Sequence, residues 1–333
     1  MSSLLKNTLK DNFSRFHNYL RISLTEKCNL RCVYCMPENG IELTPKTHIL
    51  TTNEIVRLSR IFISLGVDKI RLTGGEPTIR KDINCIVEQI GNLPGLKSLA
   101  MTTNGIVLYK HLEHFKKNNL DAINISLDTL RPERFTLFTR RLGYENVIRS
   151  IDTALDMGYK NLKLNCVVMA GKNEDEILDF VRFTKDKEIN VRFIEYMPFD
   201  DNKWSENKLV PYKKLITDIE KEFGKIIRKD DHFTEVAKNF NIPGFKGSIS
   251  FVTSMTDSFC GGCNRTRIMA DGNYKVCLFG PNEISLRDAL RLGASDGEMI
   301  EIISNAVKNK KKAHAGMLEI QKTPNRPMIK IGG

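Results

Sequence analysis

Between Tyr19 and Phe223, short runs of alternating apolar and polar residues take turns with longer segments whose apolar residues recur every three or four positions. The alternating runs predict strands at Tyr19–Leu24, Val67–Thr73, Lys97–Thr103, Asp121–Leu127, Asn161–Val168 and Asn190–Tyr196. The segments between them predict helices. One carries Ile55, Leu58, Phe62 and Leu65, another Ile83, Ile86, Val87 and Ile90, and a third Val147, Ile148, Ile151 and Leu155. The run Thr51 to Glu54 has the form of a capping box, and Gly66, Gly158 and Gly224 fall just past helix ends. Six strand–helix units of roughly 30 residues predict a parallel sheet with right-handed crossovers. A closed barrel takes eight such units, so the expected fold class is α/β, a partial (β/α)6 TIM-like barrel open on one side.

The strands are unusual for a sheet covered on both faces, where near-continuous apolar runs are the rule. Polar residues occupy every second position: Arg21 and Ser23, Lys69 and Arg71, Thr102, Asn124 and Ser126, Lys163 and Asn165, and Arg192. The other parity holds Leu20, Ile22 and Leu24, Ile70 and Leu72, and Leu162, Leu164, Cys166 and Val168. Side chains alternate between faces, so one face should pack on helices and the other should line a polar, cationic lumen. Like charges buried together are costly unless an anion neutralises them. A polyanionic substrate is therefore expected.

Cys28, Cys32 and Cys35 follow the first strand at Cys-x3-Cys-x2-Cys spacing, with Tyr34 before the last thiol. A 4Fe–4S cube has four irons and ordinarily four thiolates, so three leave one iron open to another ligand. A structural zinc site would pair Cys-x2-Cys with a second pair or with histidines, and none lies near Cys28. Gly74-Gly75-Glu76-Pro77 follows the second strand; its glycines allow close backbone approach, and Glu76 offers a carboxylate to an ammonium group. A second set, Cys260, Cys263 and Cys277, lies beyond the sixfold alternation in a glycine-rich region. It suits a second cluster with an open iron, and zinc with His314 as a fourth ligand stays an alternative. Cys85 and Cys166 read as small buried hydrophobes.

These segments, with Thr-Thr-Asn-Gly at 102–105, Asn-Ile-Ser-Leu-Asp at 124–128, Arg-Phe-Ile-Glu at 192–195, Arg265-Thr-Arg267 and the terminal Ile331-Gly-Gly333, resemble the radical S-adenosylmethionine (SAM) superfamily and, within it, the GTP 3′,8-cyclases of molybdenum cofactor biosynthesis. The resemblance runs from about Leu20 to the C-terminus. It implies two 4Fe–4S clusters, one on Cys28, Cys32 and Cys35 and one on Cys260, Cys263 and Cys277. It implies SAM contacts at Tyr34, Gly75, Ser126 and Met197, and GTP contacts at Arg21, Arg71, Thr102, Lys163, Arg265, Thr266 and Arg267. Strand parity adds Lys69 and Arg192 as phosphate neighbours. The implied reaction takes GTP to (8S)-3′,8-cyclo-7,8-dihydroguanosine 5′-triphosphate by hydrogen abstraction at C3′ and attack on C8. An external one-electron reductant and a downstream cyclic pyranopterin monophosphate synthase are the implied partners, and the oligomeric state, homodimer or monomer, stays open. A peptide-modifying radical SAM maturase is the rival reading. Such enzymes carry longer C-terminal cysteine series than the three found here.

Composition narrows the picture further. The chain has 333 residues, 41% of them hydrophobic, eight cysteines and a net charge of +11. Too few cysteines for a disulfide scaffold suit reduced, metal-binding use in the cytoplasm. The charge invites a nucleic-acid reading, but no basic stripe interleaved with aromatics accompanies it. The densest run, Lys308 to Lys312, follows a helical pattern and reads as a solvated helix end. No signal peptide or membrane span is expected. The expected organisation is an N-terminal segment at 1–18, a barrel at 19–230 and a cluster-binding C-terminal domain at 231–333 that closes the open side.

Overall fold

The computed structural model describes residues 7–200, 202 and 204–332; Met1 to Lys6 and the terminal Gly333 lie outside them. Six parallel strands stand side by side in chain order: β1 (Tyr19–Ser23), β2 (Lys69–Thr73), β3 (Ser98–Thr103), β4 (Leu120–Ser126), β5 (Asn161–Val168) and β6 (Asn190–Glu195). Each bound lies within two residues of its expected position. The helix that follows β1, α1 (Thr52–Ser64), opens on the expected capping box, with Thr51 accepting from the Glu54 amide and Glu54 accepting from Thr51. Such caps contribute about 1 kcal/mol. Gly66, Gly158 and Gly224 all have positive φ.

The two strand parities separate as expected. Leu20, Ile22, Ile70, Leu72, Leu162, Leu164, Cys166 and Val168 are at most 1% exposed. They pack with Ile55, Leu58, Phe62, Ile86, Val87, Val147 and Ile151 into one continuous core between sheet and helices. Burial of each large aliphatic side chain contributes roughly 1.5–3 kcal/mol, which sets the register firmly.

The sheet is not closed. The C-terminal region extends it at both edges into twelve strands. β9 (Ser248–Val252) pairs parallel to β6, followed outward by antiparallel β8 (Ala237–Asn241) and β7 (Ile227–Arg228). At the opposite edge β10 (Arg265–Ile268) pairs parallel to β1, and antiparallel β11 (Asn273–Lys275) and β12 (Ile284–Ser285) follow. The open edges of β1 and β6 would otherwise leave backbone groups unpaired. The β7–β8 hairpin crosses the 230/231 boundary drawn from sequence. No described helix is long and apolar enough to cross a membrane.

Candidate functional site

Cys28, Cys32 and Cys35 are free and half-buried on the loop that leaves β1. Backbone hydrogen bonds hold this loop from two sides. Gly75 and Glu76 donate to the carbonyls of Thr25 and Lys27 at 2.6 and 2.8 Å, and Arg31 and Val33 donate to Thr139 and Phe138, both at 2.9 Å. Gly75 has no alternative: an added Cβ would lie 2.4 Å from the Lys27 carbonyl oxygen. The three thiols share a cleft of about 630 Å³ with Tyr34, Gly75, Thr102, Asn104, Ser126 and Met328. Burial pushes the Cys28 thiol up to about 12. The Cys32 thiol is raised by its hydrogen bond with Cys35 and by burial. Only a strong local positive charge converts such thiols to ligating thiolates.

Glu76 does not offer its carboxylate to a ligand. It is 0% exposed. One oxygen accepts from Thr103 Oγ1 at 2.6 Å and from Thr78, and the other accepts from the Asn104 amide at 2.6 Å. The residue instead ties the loop after β2 to the loop after β3. Asp128, missed from sequence, faces Tyr34 and accepts from the Val167 amide at 2.8 Å. Burial lifts its carboxyl to about 6.

Pairing across β10, β1 and β2 aligns Arg267, Arg21 and Arg71 in one row and Arg265, Tyr19 and Lys69 in the next. Arg265 and Lys69 sit 5.2 and 5.0 Å from the Tyr19 ring centre. Arg71 Nε donates to the Tyr19 hydroxyl, and its Nη1 donates to the Met101 carbonyl at 2.9 Å and to Thr102 Oγ1 at 3.4 Å. Burial raises the Tyr19 phenol, but Arg71, Arg21, Lys69 and Arg265 outweigh it and bring the group to about 7. Burial, with neighbouring cations adding to it, lowers Arg21 to about 9, Arg192 and Arg267 to about 10 and Lys163 to about 8. Among the described residues, Glu235 acts on Lys163 and Arg192 only from a distance, and none of the four cations forms a salt bridge.

Arg21, Arg192, Arg265 and Arg267 line a cavity of about 1360 Å³ together with Thr102, Ser126, Met197, Cys260, Cys263 and Cys277. Tyr34, Thr102, Ser126 and Met328 line both this cavity and the cleft of the first cysteine set. Buried atoms without partners cluster here: Nε of Arg21 and Arg192, Nη1 of Arg265, and Oδ1 of Asn124 and Asn165. Native interiors rarely leave such groups unsatisfied, and a polar ligand would satisfy them. Arg71, Lys69 and Lys163 are outside the cavity lining. Thr266 is on the opposite face of β10, 1% exposed, so its side chain does not face the lumen. Sequence reading also missed the wall supplied by Phe199, Phe259, Phe279, Met328 and Ile331.

Cys260 and Cys263 flank a short turn before β10, and Cys277 follows β11. The turn needs glycine at 262, where an added Cβ would be 2.0 Å from the Phe233 carbonyl oxygen. Burial raises both thiols, yet His314 beside Cys260 and Lys310 beside Cys263 outweigh it and hold them below the usual range. Among the described residues, no three His, Cys, Asp or Glu side chains converge as closely as a single bound ion requires. Each site brings three free, half-buried cysteines to the lining of one cavity, the donor type that iron–sulfur clusters take.

Fold and thiol-lined cleft together define a radical SAM protein, and residues 22–184 match the model of the Radical SAM superfamily. Residues 189–316 match the model described as Molybdenum Cofactor Synthesis C. The chain belongs to the GTP 3′,8-cyclase family of molybdenum cofactor biosynthesis. It is 62% identical to the mitochondrial GTP 3′,8-cyclase of Arabidopsis thaliana, over 98% of this chain and 83% of the relative. It is 40% identical to the GTP 3′,8-cyclase of Thermodesulfovibrio yellowstonii, over 98% of this chain and 100% of the relative. The molybdenum cofactor biosynthesis protein 1 of Homo sapiens is 55% identical over 97% of this chain, which spans 51% of that relative's length. Among solved structures, Streptococcus suis SuiB bound to SAM shares the fold, with a TM-score of 0.57 and 16% identity over 86% of this chain and 68% of that one.

Proposed function

We propose that this chain cyclises GTP to (8S)-3′,8-cyclo-7,8-dihydroguanosine 5′-triphosphate in the cationic cavity described above. The observation that carries the reading is the adjacency of the two sites, which share Tyr34, Thr102, Ser126 and Met328 as common walls. Cys28, Cys32 and Cys35 would hold one cluster, with Tyr34, Gly75, Ser126 and Met197 around SAM. Cys260, Cys263 and Cys277 would hold the other, leaving one iron for the guanine base. When bound, the first cluster and SAM supply a 5′-deoxyadenosyl radical, which in this family removes the hydrogen at C3′ before C3′ joins C8; such chemistry belongs to the cofactor.

The chain's own residues bind, orient and shield. Arg21, Arg192, Arg265 and Arg267 grip the triphosphate, to which guanidinium groups bind bidentately. Arg71 acts one step back, holding Tyr19 and Thr102 in place. Phe199, Phe259 and Phe279 keep water from the reacting carbons. The reading also calls for an external one-electron reductant and for a cyclic pyranopterin monophosphate synthase that takes the product. We place the chain in the cytoplasm, because its described cysteines are all free, as a reducing compartment favours.

Anaerobically reconstituted protein, given SAM, reductant and GTP deuterated at C3′, should transfer the deuterium to 5′-deoxyadenosine. Full retention at C3′ during turnover would overturn the assignment. A hydrogen bond to a charged group contributes roughly 1.5–3 kcal/mol. Arg265→Ala and Arg267→Ala should each therefore weaken GTP binding about ten- to a hundredfold, since 1.4 kcal/mol is a factor of ten. Equilibrium binding is the measurement, with GTP-independent SAM cleavage as an unchanged control. Arg71→Ala should in addition lower the melting temperature, because it strands the Tyr19 hydroxyl and the Met101 carbonyl.

A further inference from the structure

The Lys308 to Lys312 run is a solvated helix end only in part. Lys308, Lys311 and Lys312 are exposed, as their sequence pattern suggests. Lys310 is not: it is 5% exposed. Its Nζ donates to the Arg265 carbonyl at 2.9 Å and to Cys263 Sγ at 3.4 Å.

The inward turn is made by the N-terminal segment. Arg15, 9% exposed, donates to the carbonyl oxygens of Cys260 at 2.8 Å, Lys311 at 2.7 Å and Lys312 at 2.6 Å. Asp11 anchors Arg15 at 2.7 Å and also faces His17 at 3.1 Å. Asn12 Nδ2 donates to the Lys308 carbonyl at 2.9 Å. One guanidinium thus ties the second cysteine loop to the basic run, and with Asn12 it holds the backbone on both sides of Lys310.

A buried ammonium is costly unless an opposite charge answers it. Among the described residues no carboxylate pairs with Lys310, and the negative groups acting on it are Cys263 and Cys277. Both belong to the second cysteine set. We infer that Lys310 sets the charge of the second cluster site: its ammonium, fixed at Cys263 by the Arg15 tie, is the built-in counter-charge to the thiolates. The inference rests on the reading that this set holds a 4Fe–4S cluster. Residues around a cluster tune its potential through charge and hydrogen bonds to the sulfurs. Reduction adds one electron, and therefore one negative charge, so a cation at Cys263 Sγ favours the reduced form. The same cation draws electron density from the thiolate and makes the open iron a better acceptor for a purine nitrogen or oxygen. Lys310 is in this sense a positioning residue, acting through Cys263.

The test uses the full-length, anaerobically reconstituted chain carrying Cys28→Ala, Cys32→Ala and Cys35→Ala, so that only the second site holds iron. In that background Lys310→Met keeps length and bulk but removes the charge. An EPR-monitored redox titration should move the midpoint to more negative potential by at least about 59 mV, a tenfold change in the one-electron reduction equilibrium. Lys310→Arg should stay near the parent value. An unchanged midpoint in Lys310→Met overturns the inference. Should Lys310→Met lose its iron, Lys310→Arg decides: retained iron at the parent potential supports the charge role, and loss in both variants assigns Lys310 to packing alone. Failure of the underlying reading shows separately in the parent, which would then hold zinc or no metal at this site.

Discussion

Replacing Cys28, Cys32 and Cys35 together with alanine should leave a folded chain that keeps about half its iron, by the count of four irons per cluster, and makes no 5′-deoxyadenosine. The fold should survive because the loop's scaffold rests on main-chain groups, the backbone bond to a thiol being the long one from the Leu30 amide to Cys28 Sγ at 3.4 Å. Gly75, Glu76, Arg31 and Val33 bond through main-chain groups, and the Glu76 network pins the neighbouring loops. The three side chains are half-buried at the edge of the core, and each truncation removes a single sulfur atom from that edge. Chemistry, in contrast, should disappear entirely, since the thiolates are the means of holding the cluster that reduces SAM. Iron per chain by colorimetry and 5′-deoxyadenosine by chromatography check both halves. Unchanged iron, or stoichiometric zinc in the parent protein, would refute the assignment.

Cys277→Ala should separate the two activities. Cleavage of SAM should persist while formation of the cyclised nucleotide falls below detection and the preference for GTP over ATP disappears. Arginines alone recognise a triphosphate whatever its base, so discrimination must come from the second site. The rival account makes the second cluster a staple for a loop-rich region, and it predicts unfolding instead. The structure argues against a staple, because the β10–β11 hairpin stands on other contacts. Arg267 pairs with Lys275 and Ile268 with Tyr274. The Tyr274 ring is buried 5.4 Å from that of Phe62, and Lys275 donates to Asn325 at 2.8 Å. A melting temperature near that of the parent, with product absent, is the expected pair of results. A folded variant that still makes the GTP product would sink the assignment.

Much of the site was open to a reader of the sequence, for a local reason. Alternation along a strand places Arg21, Lys163 and Arg192 on one face before any partner strand is known, and the spacing of Cys28, Cys32 and Cys35 confines them to one loop. The same logic was available at β10, where Arg265 and Arg267 flank Thr266. There parity sets Thr266 apart, whereas the family resemblance implies all three residues as GTP contacts. Strands β7 and β10 to β12 are only two to four residues long. Runs that short carry too little periodicity to stand out, and β9 and β10 pair with β6 and β1 from far along the chain.

Local sequence specifies the six-unit alternation, the parity that makes one face cationic, and the two sets of three thiols. Each follows from side-chain direction and spacing within a few residues. Tertiary structure alone decided how those pieces are used. It joined the C-terminal strands to both sheet edges, engaged both Glu76 oxygens within the protein, and brought the two cysteine sites to common walls. It also turned Lys310 inward through Arg15, a residue 295 positions away in a chain of 333. The physical reason is the same in each case. A hydrogen bond or buried charge finds its partner through space, and no periodicity along the chain records which distant group that will be.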